Sequence, residues 1–298
     1  MKIENLLKKK RTISFEVFPP KNDKPIEPLI ETLSHLEKLN PDFISVTFGA
    51  GGSNQGRALE ISKMISDFGI ESLQHFTCVG SDKKTIDEMA KKFTAARIHN
   101  LLLLRGDYPK TDSLDKTNHT NAFSLDKSAF KNASDLIKYF SENYPDFSIG
   151  AAAYPETHLE ALSNKSDVRF LKLKQDLGAK FFITQLCFDE NNFYNWCKKI
   201  KKAGVHIPII AGLMPVLYKE GIIKICLQNG CSIPKNLSRI IGKYGDDSAD
   251  FKKAGIEFTR NLIEKIQNAG ADGIHLYTLN KYKDVEEIIS TVHLLHSI

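Results

Sequence analysis

Asn100-Leu101-Leu102-Leu103-Leu104-Arg105-Gly106-Asp107 reads as an apolar strand with an abruptly polar exit. A strand with one wet face alternates apolar and polar residues, whereas an unbroken leucine run fits a parallel strand covered on both faces. Parallel strands require crossover helices, and comparable β-rich runs recur on either side of this one, each leading into an amphipathic segment. Strands are expected at Thr12–Phe18, Asp42–Phe48, Glu71–Cys78, Asn100–Arg105, Phe147–Ala153, Lys180–Phe188, Ile207–Leu213 and Gly273–Thr278. The first four begin about 30 residues apart, the length of one βα unit. Between the first two, Leu29, Ile30, Leu33, Leu36 and Leu39 recur at helical spacing within Glu27–Leu39. Eight such units predict an α/β protein of the (β/α)8 TIM barrel type rather than an open doubly wound sheet.

Two connections are long. Asp107–Asp146 opens on a polar, turn-rich stretch before a helix near Ala133–Glu142, and Met214–Asp272 holds at least two helices, one over Asp250–Ala269. A last helix is expected over Val285–Leu295. With no linker poor in apolar residues, residues 1–298 are expected to form a single barrel catalytic domain with no regulatory domain.

Composition narrows the function classes. Hydrophobic residues make up 42% of the 298 and charged residues 26%, as in ordinary globular proteins. The net charge of +5 is widely spread, and its densest run, Lys8-Lys9-Lys10-Arg11, reads as a solvated end rather than a nucleic-acid contact. Five irregularly spaced cysteines give neither a disulfide framework nor a CxxC metal pair. His75-Phe76-Thr77-Cys78 lacks the second pair a metal site would need, so no metal is expected. No signal-peptide core or membrane-length apolar run is present, which points to a cytoplasmic protein.

Chemistry in such barrels sits where the strands end. Their expected C-terminal ends carry Glu16, Thr47, His75 with Thr77, Arg105-Gly106-Asp107, Tyr154 with His158, Gln185, and Tyr277 to Asn280. Glu16 lies in Ser14-Phe15-Glu16-Val17-Phe18-Pro19-Pro20, where alternation sends Phe15 and Val17 to one face and Ser14, Glu16 and Phe18 to the other. A carboxyl there must be paired, hydrogen-bonded or neutral, and a raised pKa would suit a general acid; a salt bridge at a strand end is the plainer alternative. Gly106 permits close backbone approach to a ligand, with an internal Arg105–Asp107 pair as the competing reading. The glycine-rich Gly49–Gly56 matches neither a P-loop nor a Rossmann fingerprint. Asp167, with Lys172 and Lys174, offers a carboxylate for a ribose hydroxyl and an ammonium for phosphate, or simply a solvated helix face.

Along nearly its full length the chain resembles the methylenetetrahydrofolate reductases of the compact bacterial catalytic-domain type. The resemblance is carried by Ser14–Pro20, Ser45–Ser53, His75–Cys78, Leu104–Asp107, Ala152–His158, Ile183–Gln185 and His275–Asn280, in order and at strand ends. It implies an oxidoreductase that passes hydride from NADH or NADPH onto FAD, and thence in a ping-pong cycle to 5,10-methylenetetrahydrofolate, giving 5-methyltetrahydrofolate for methionine synthesis. It further implies Glu16 as the general acid that opens the imidazolidine ring to a 5-iminium cation, and Asp107 as the carboxylate favouring that cation beside flavin and pterin. Gln185 would hydrogen-bond folate. Lys281 stands where an Arg commonly meets the folate glutamate. Thr47, Phe48, Ala50, His75, Arg105, Gly106, Asp107, Ala133, Tyr154, His158, Asp167 and Lys174 would line the FAD, and a homo-oligomer is implied. The chain departs from the family's better-known bacterial members at Gly221 and Ile225, where a Gln and an aromatic are usual, with Tyr218 the nearest aromatic here; Phe170 and Leu173 differ on the FAD side.

Two other readings remain open on the residues alone. One is a flavin-free barrel lyase or aldolase using Glu16 and Asp107 as an acid–base pair on a phosphorylated substrate. The other is a non-catalytic flavin- or folate-binding scaffold.

Overall fold

Each strand of the sheet pairs in parallel with its neighbour in sequence, and the eighth returns to the first, closing a barrel. The computed structural model describes residues 1–48, 55–106, 129–245 and 248–292. The strands are β1 (Thr12–Val17), β2 (Phe43–Val46), β3 (Glu71–Thr77), β4 (Asn100–Leu104), β5 (Ser148–Ala153), β6 (Phe181–Thr184), β7 (Ile209–Leu213) and β8 (Gly273–Tyr277). Among the described residues the helices are α1 (Ile3–Leu7), α2 (Glu27–Glu37), α3 (Gln55–Asp67), α4 (Lys83–Ala95), α5 (Ala133–Asn143), α6 (Asn164–Asp176), α7 (Glu190–Lys202), α8 (Lys219–Asn229), α9 (Lys235–Lys243), α10 (Ala249–Asn268) and α11 (Tyr282–Ile289). This is the expected (β/α)8 barrel.

Alternation along each strand divides the core in two. Outward residues such as Phe15, Val17, Ile44, Val46 and Phe76 pack under the helices in one continuous cluster. Burying side chains of this size contributes about 1.5–3 kcal/mol each, so the helical sleeve is the main source of stability. Inside, Phe43, Leu73, Leu102, Phe181, Ile183 and Ile210 form a second, smaller plug, closed from below by Ile3 and Leu7 of α1. Asn100 ties α1 down by accepting from the Ile3 N–H at 2.8 Å. Above the plug the inward positions turn polar: Ser14, Glu16, Ser45, His75, His275 and Tyr277. The apolar plug thus closes the N-terminal end of the barrel, and the polar side chains gather at the other.

Several boundaries differ from those expected. β1 ends at Val17, and Phe18 is 43% exposed at the rim instead of continuing the inward face. β6 ends at Thr184, after which Leu186, Cys187 and Phe188 are buried as a loop. α2 buries Leu29, Leu33 and Leu36, whereas Ile30 is 38% exposed, so the apolar stripe is narrower than its sequence pattern. α11 spans Tyr282–Ile289, not Val285–Leu295, because the left-handed pair Leu279 and Asn280 turns the chain early. All five cysteines are free and buried. No described helix is long and apolar enough to cross a membrane.

Candidate active site

Strand register assembles the site. Across β1 and β2 it pairs Glu16 with Ser45, and across β1 and β8 it pairs Ser14 with His275 and Glu16 with Tyr277. Glu16 Oε2 consequently lies 3.4 Å from Ser45 Oγ, 3.4 Å from His75 Nε2 and 3.6 Å from His275 Nε2. Burial pushes the Glu16 carboxyl up, but the hydrogen bond with His275, the charges of His75 and His275 and the Ser45 hydroxyl outweigh it, and the group lies below the usual carboxylate range. This corrects the sequence expectation of a raised pKa, since a lone Glu on an apolar face had no visible partners. His75 is itself pushed down by burial, against the opposing pull of Glu16. The protein in this state therefore holds Glu16 as the anion.

Beside this cluster opens a cavity of about 650 Å³. It is lined by Thr47, Phe48, His75, Arg105, Gly106, Ala133, Tyr154, His158, Asp167 and Lys174, so the expected cofactor residues converge. Ala50 and Asp107, also expected there, lie outside the described residues. His75 links cavity and carboxylate: its Nε2 is buried without a hydrogen bond, yet sits 3.4 Å from Glu16. Gly106 has φ +88°, and a Cβ on it would meet Thr77 Cβ at 2.8 Å, so the backbone comes close to the cavity wall only because the residue is glycine.

The far end of the cavity is built on α6 and the loop before it. The His158 N–H donates to Asp167 Oδ2 at 3.1 Å, and the ring of Tyr154 meets that of His158 edge-on at 4.5 Å. Lys174 lies seven residues beyond Asp167, on the same helical face, and its Nζ donates to the Ala152 carbonyl at 2.8 Å. Burial pushes the Lys174 ammonium down to about 8, with Asp167 opposing. Lys172 does not join them: it pairs with Asp176 outside the cavity. Arg105 spans the mouth in a two-pronged pair with Glu160, at 2.5 and 3.1 Å, while the Asp107 considered from sequence lies outside the described residues.

Gln185 and Lys281 stand apart from the cavity wall. The Gln185 Nε2 donates to Asn229 Oδ1 at 3.0 Å and its Oε1 accepts from the Leu186 N–H at 2.9 Å. Its carboxamide is thus oriented by α8 and is not directed at Glu16. Lys281 is exposed at the rim, immediately after Asn280, whose side chain binds both the N–H and the carbonyl of Phe18. Of the departures from the family pattern, Ile225 packs partly buried against the outer core, and Tyr218 is 40% exposed before α8. Ser14, Ser45, His275, Glu160 and Asn229 were not singled out from sequence. The two-residue period of β1, β2 and β8 places the first three on inward faces and is the one signal that could have found them.

The cavity's chemistry fits a flavin dinucleotide. A glycine forced into close backbone approach, and an ammonium and a carboxylate on one helix face, suit a flat polar ring at one end and phosphate and ribose at the other. No group of His, Cys, Asp and Glu suited to a metal ion occurs among the described residues.

Comparison with known proteins points to one family. The sequence model of the family described as Methylenetetrahydrofolate reductase matches residues 2–293. Methylenetetrahydrofolate reductase 1 of Schizosaccharomyces pombe is 33% identical over 97% of this chain and 47% of its own length. The Arabidopsis thaliana Methylenetetrahydrofolate reductase (NADH) 1 is 32% identical over 99% of this chain and 50% of its own. The 5,10-methylenetetrahydrofolate reductase of Escherichia coli is 30% identical over 90% and 86%. The chain therefore spans about half the length of the eukaryotic relatives and most of the bacterial one. Among solved structures, an uncharacterized Clostridium thermocellum protein that binds two copies of 5-methyl-5,6,7,8-tetrahydrofolic acid superposes with a TM-score of 0.66 at 16% identity, over 97% of each chain. At that identity the likeness concerns the fold.

Proposed function

We infer, because this chain belongs to the methylenetetrahydrofolate reductase family, that it reduces 5,10-methylenetetrahydrofolate to 5-methyltetrahydrofolate with a nicotinamide nucleotide as donor. The observation that carries this reading is the contact between the two halves of the site: His75 lines the cofactor cavity and reaches the Glu16 carboxylate at 3.4 Å. A proton donor and a flat-ring cavity must lie this close if protonation and hydride transfer act on one substrate. FAD is the cofactor we assign to the cavity, and when bound it supplies hydride acceptance from the nicotinamide and hydride donation to the folate. We take residues 1–298 as one catalytic domain.

The chain's own residues do the rest. Arg105 and Lys174 provide cations for the dinucleotide phosphates, Asp167 accepts from a ribose hydroxyl, and Thr47, Gly106 and Ala133 shape the wall. Glu16 donates a proton to the bridging nitrogen as the imidazolidine C–N bond breaks, leaving the methylene carbon as the iminium that accepts hydride. Asp107 is proposed to favour that cation. Gln185, oriented by Asn229, hydrogen-bonds the pterin, and Lys281 meets the substrate's glutamate carboxylate as a point charge without the fork of an arginine.

Lys174 gives a pH signature. Its ammonium is charged below about 8 and neutral above it, so a phosphate-bearing ligand loses a cation as pH rises. Affinity for FAD is expected to fall about five- to tenfold between pH 7 and 9, and Lys174→Met to remove that dependence by weakening binding at pH 7. Titration of apoprotein with FAD, followed by flavin fluorescence, measures it; a parent affinity flat across this range contradicts the assignment.

The reading as a whole is tested by anaerobic mixing, in which each nicotinamide nucleotide and then methylenetetrahydrofolate is added to purified protein. A flavin-free lyase would show no visible absorbance to follow, and a scaffold would show absorbance without turnover.

A further inference from the structure

The far end of the cofactor cavity carries one apolar ring among its charged groups. On α6, Asp167, Phe170 and Lys174 stand three and four residues apart, a spacing that puts them on one helix face, and all three line the cavity. They reach to different depths. The Lys174 Nζ extends inward to the Ala152 carbonyl at 2.8 Å, Asp167 is half-buried, and Phe170 is 51% exposed. Phe170 also lines a second hollow of about 540 Å³, shared with Arg169, Lys172 and Leu173 of the same helix. Its ring therefore stands on the ridge between the two. Of the two α6 departures from the family pattern, Phe170 lines the cofactor cavity and Leu173 lines the outer hollow alone.

A half-exposed phenyl ring keeps an apolar face in water, and covering that face is favourable. The partner that covers it best is another flat ring, which gains from stacking and asks Phe170 for no hydrogen bond. Among the described residues no ring packs on Phe170; the nearby rings of Tyr154 and His158 meet each other edge-on instead. The roles of its neighbours say what the partner is. With the phosphates on Arg105 and Lys174 and a ribose hydroxyl on Asp167, the group that this ribose carries is the base. Phe170 lies about one helical turn from Asp167, on the solvent side of it, where the base leaves the ribose.

We propose that Phe170 is a specificity-determining residue that stacks on the terminal base of the dinucleotide and so makes the cavity select FAD over FMN. The proposal rests on the reading of the cavity as a flavin dinucleotide site, and it adds which part of the cofactor this chain grips and by what contact. FMN ends at its phosphate, so it meets the cations of the cavity and offers Phe170 nothing. FAD carries a second ring system past the ribose, and Phe170 covers one face of it. A stacked ring holds the base by its face and leaves its hydrogen-bonding edge unread.

The test titrates the flavin-free parent, F170A, F170L and F170Y with FAD and with FMN, following flavin fluorescence, and records the elution of each protein on gel filtration. F170A is expected to weaken FAD about five- to hundredfold, the usual worth of an aromatic–base stack, and to leave FMN unchanged. F170L keeps the apolar bulk without the flat face and is expected to fall nearly as far. F170Y keeps the ring and is expected to bind FAD within about twofold of the parent. The side chain is half-exposed, so the thermal melts of all four proteins are expected to coincide. A parent that binds FAD and FMN equally, an F170A that weakens both alike, or an F170L that binds FAD as the parent does overturns the stacking. So does an F170A that keeps its FAD affinity and elutes at a smaller size, which gives the ring to an interface between copies of the chain. An unchanged FAD affinity in F170A beside a parent that binds FAD sinks the stacking alone, whereas a parent that takes up neither flavin sinks the reading of the cavity and the stacking with it.

Discussion

Glu16→Gln slows the folate half-reaction about 10²–10⁴-fold, the usual worth of a positioned general acid, while the nicotinamide half-reaction persists. Glutamine matches the carboxyl in shape and still offers the Ser45 hydroxyl an oxygen, so the barrel interior has no reason to repack. What it lacks is a transferable proton. The contrast between half-reactions separates this from a packing defect, because flavin reduction needs no proton from Glu16. Single-turnover reoxidation by methylenetetrahydrofolate measures it, and reoxidation at the parent rate would remove Glu16 from the mechanism.

Gly212→Ala is expected to be the most damaging conservative change in the barrel interior. The inward position at Gly212 of β7 carries no side chain, and the Tyr277 ring fills the space, its hydroxyl donating to the Thr184 carbonyl at 2.8 Å. A Cβ at Gly212 would lie 2.1 Å from that carbonyl oxygen and 2.7 Å from the Tyr277 hydroxyl. Neither can yield cheaply, since one is backbone at the end of a strand and the other is tied to that same carbonyl by its hydrogen bond. Overpacking of this kind costs roughly 1–3 kcal/mol, here expected at the upper end, which corresponds to a fall in Tm of about 6–12 °C. Because Tyr277 pairs in register with Glu16, the folate half-reaction slows as well. A thermal melt within about a degree of the parent's would show that β7 has room the geometry denies.

The barrel was legible because its signals are local. The leucine run of β4, the alternation of β1 and the stripe Leu29, Leu33 and Leu36 each depend on residues close in sequence. The residues expected to hold a cofactor were named through the resemblance, and one cavity gathers those among them that the structure describes. The surroundings of Glu16 were not legible, since Ser45 and His275 reach it only through the register of β1 with β2 and β8: Ser45 lies 29 residues from Glu16, and His275 pairs with Ser14 across 261. An isolated carboxylate therefore looked like a group awaiting a raised pKa, when its neighbours hold it as the anion. Lys172 and Lys174 seemed equivalent on paper; a two-residue offset turns a helical side chain through about half a circle, and only Lys174 shares the face of Asp167. The Arg105–Glu160 pair was hidden for the same reason as His275, being a contact between separate βα loops.

The central claim, a flavin cavity coupled to a proton-donating carboxylate that serves folate, is met most directly by one anaerobic experiment. Purified protein should be yellow, with an absorbance band near about 450 nm as for any oxidised flavin. NADH or NADPH should bleach that band, and methylenetetrahydrofolate should restore it in the absence of oxygen with 5-methyltetrahydrofolate formed in equal amount. A colourless protein that takes up no flavin, or a bleached one that the folate fails to reoxidise, contradicts the account.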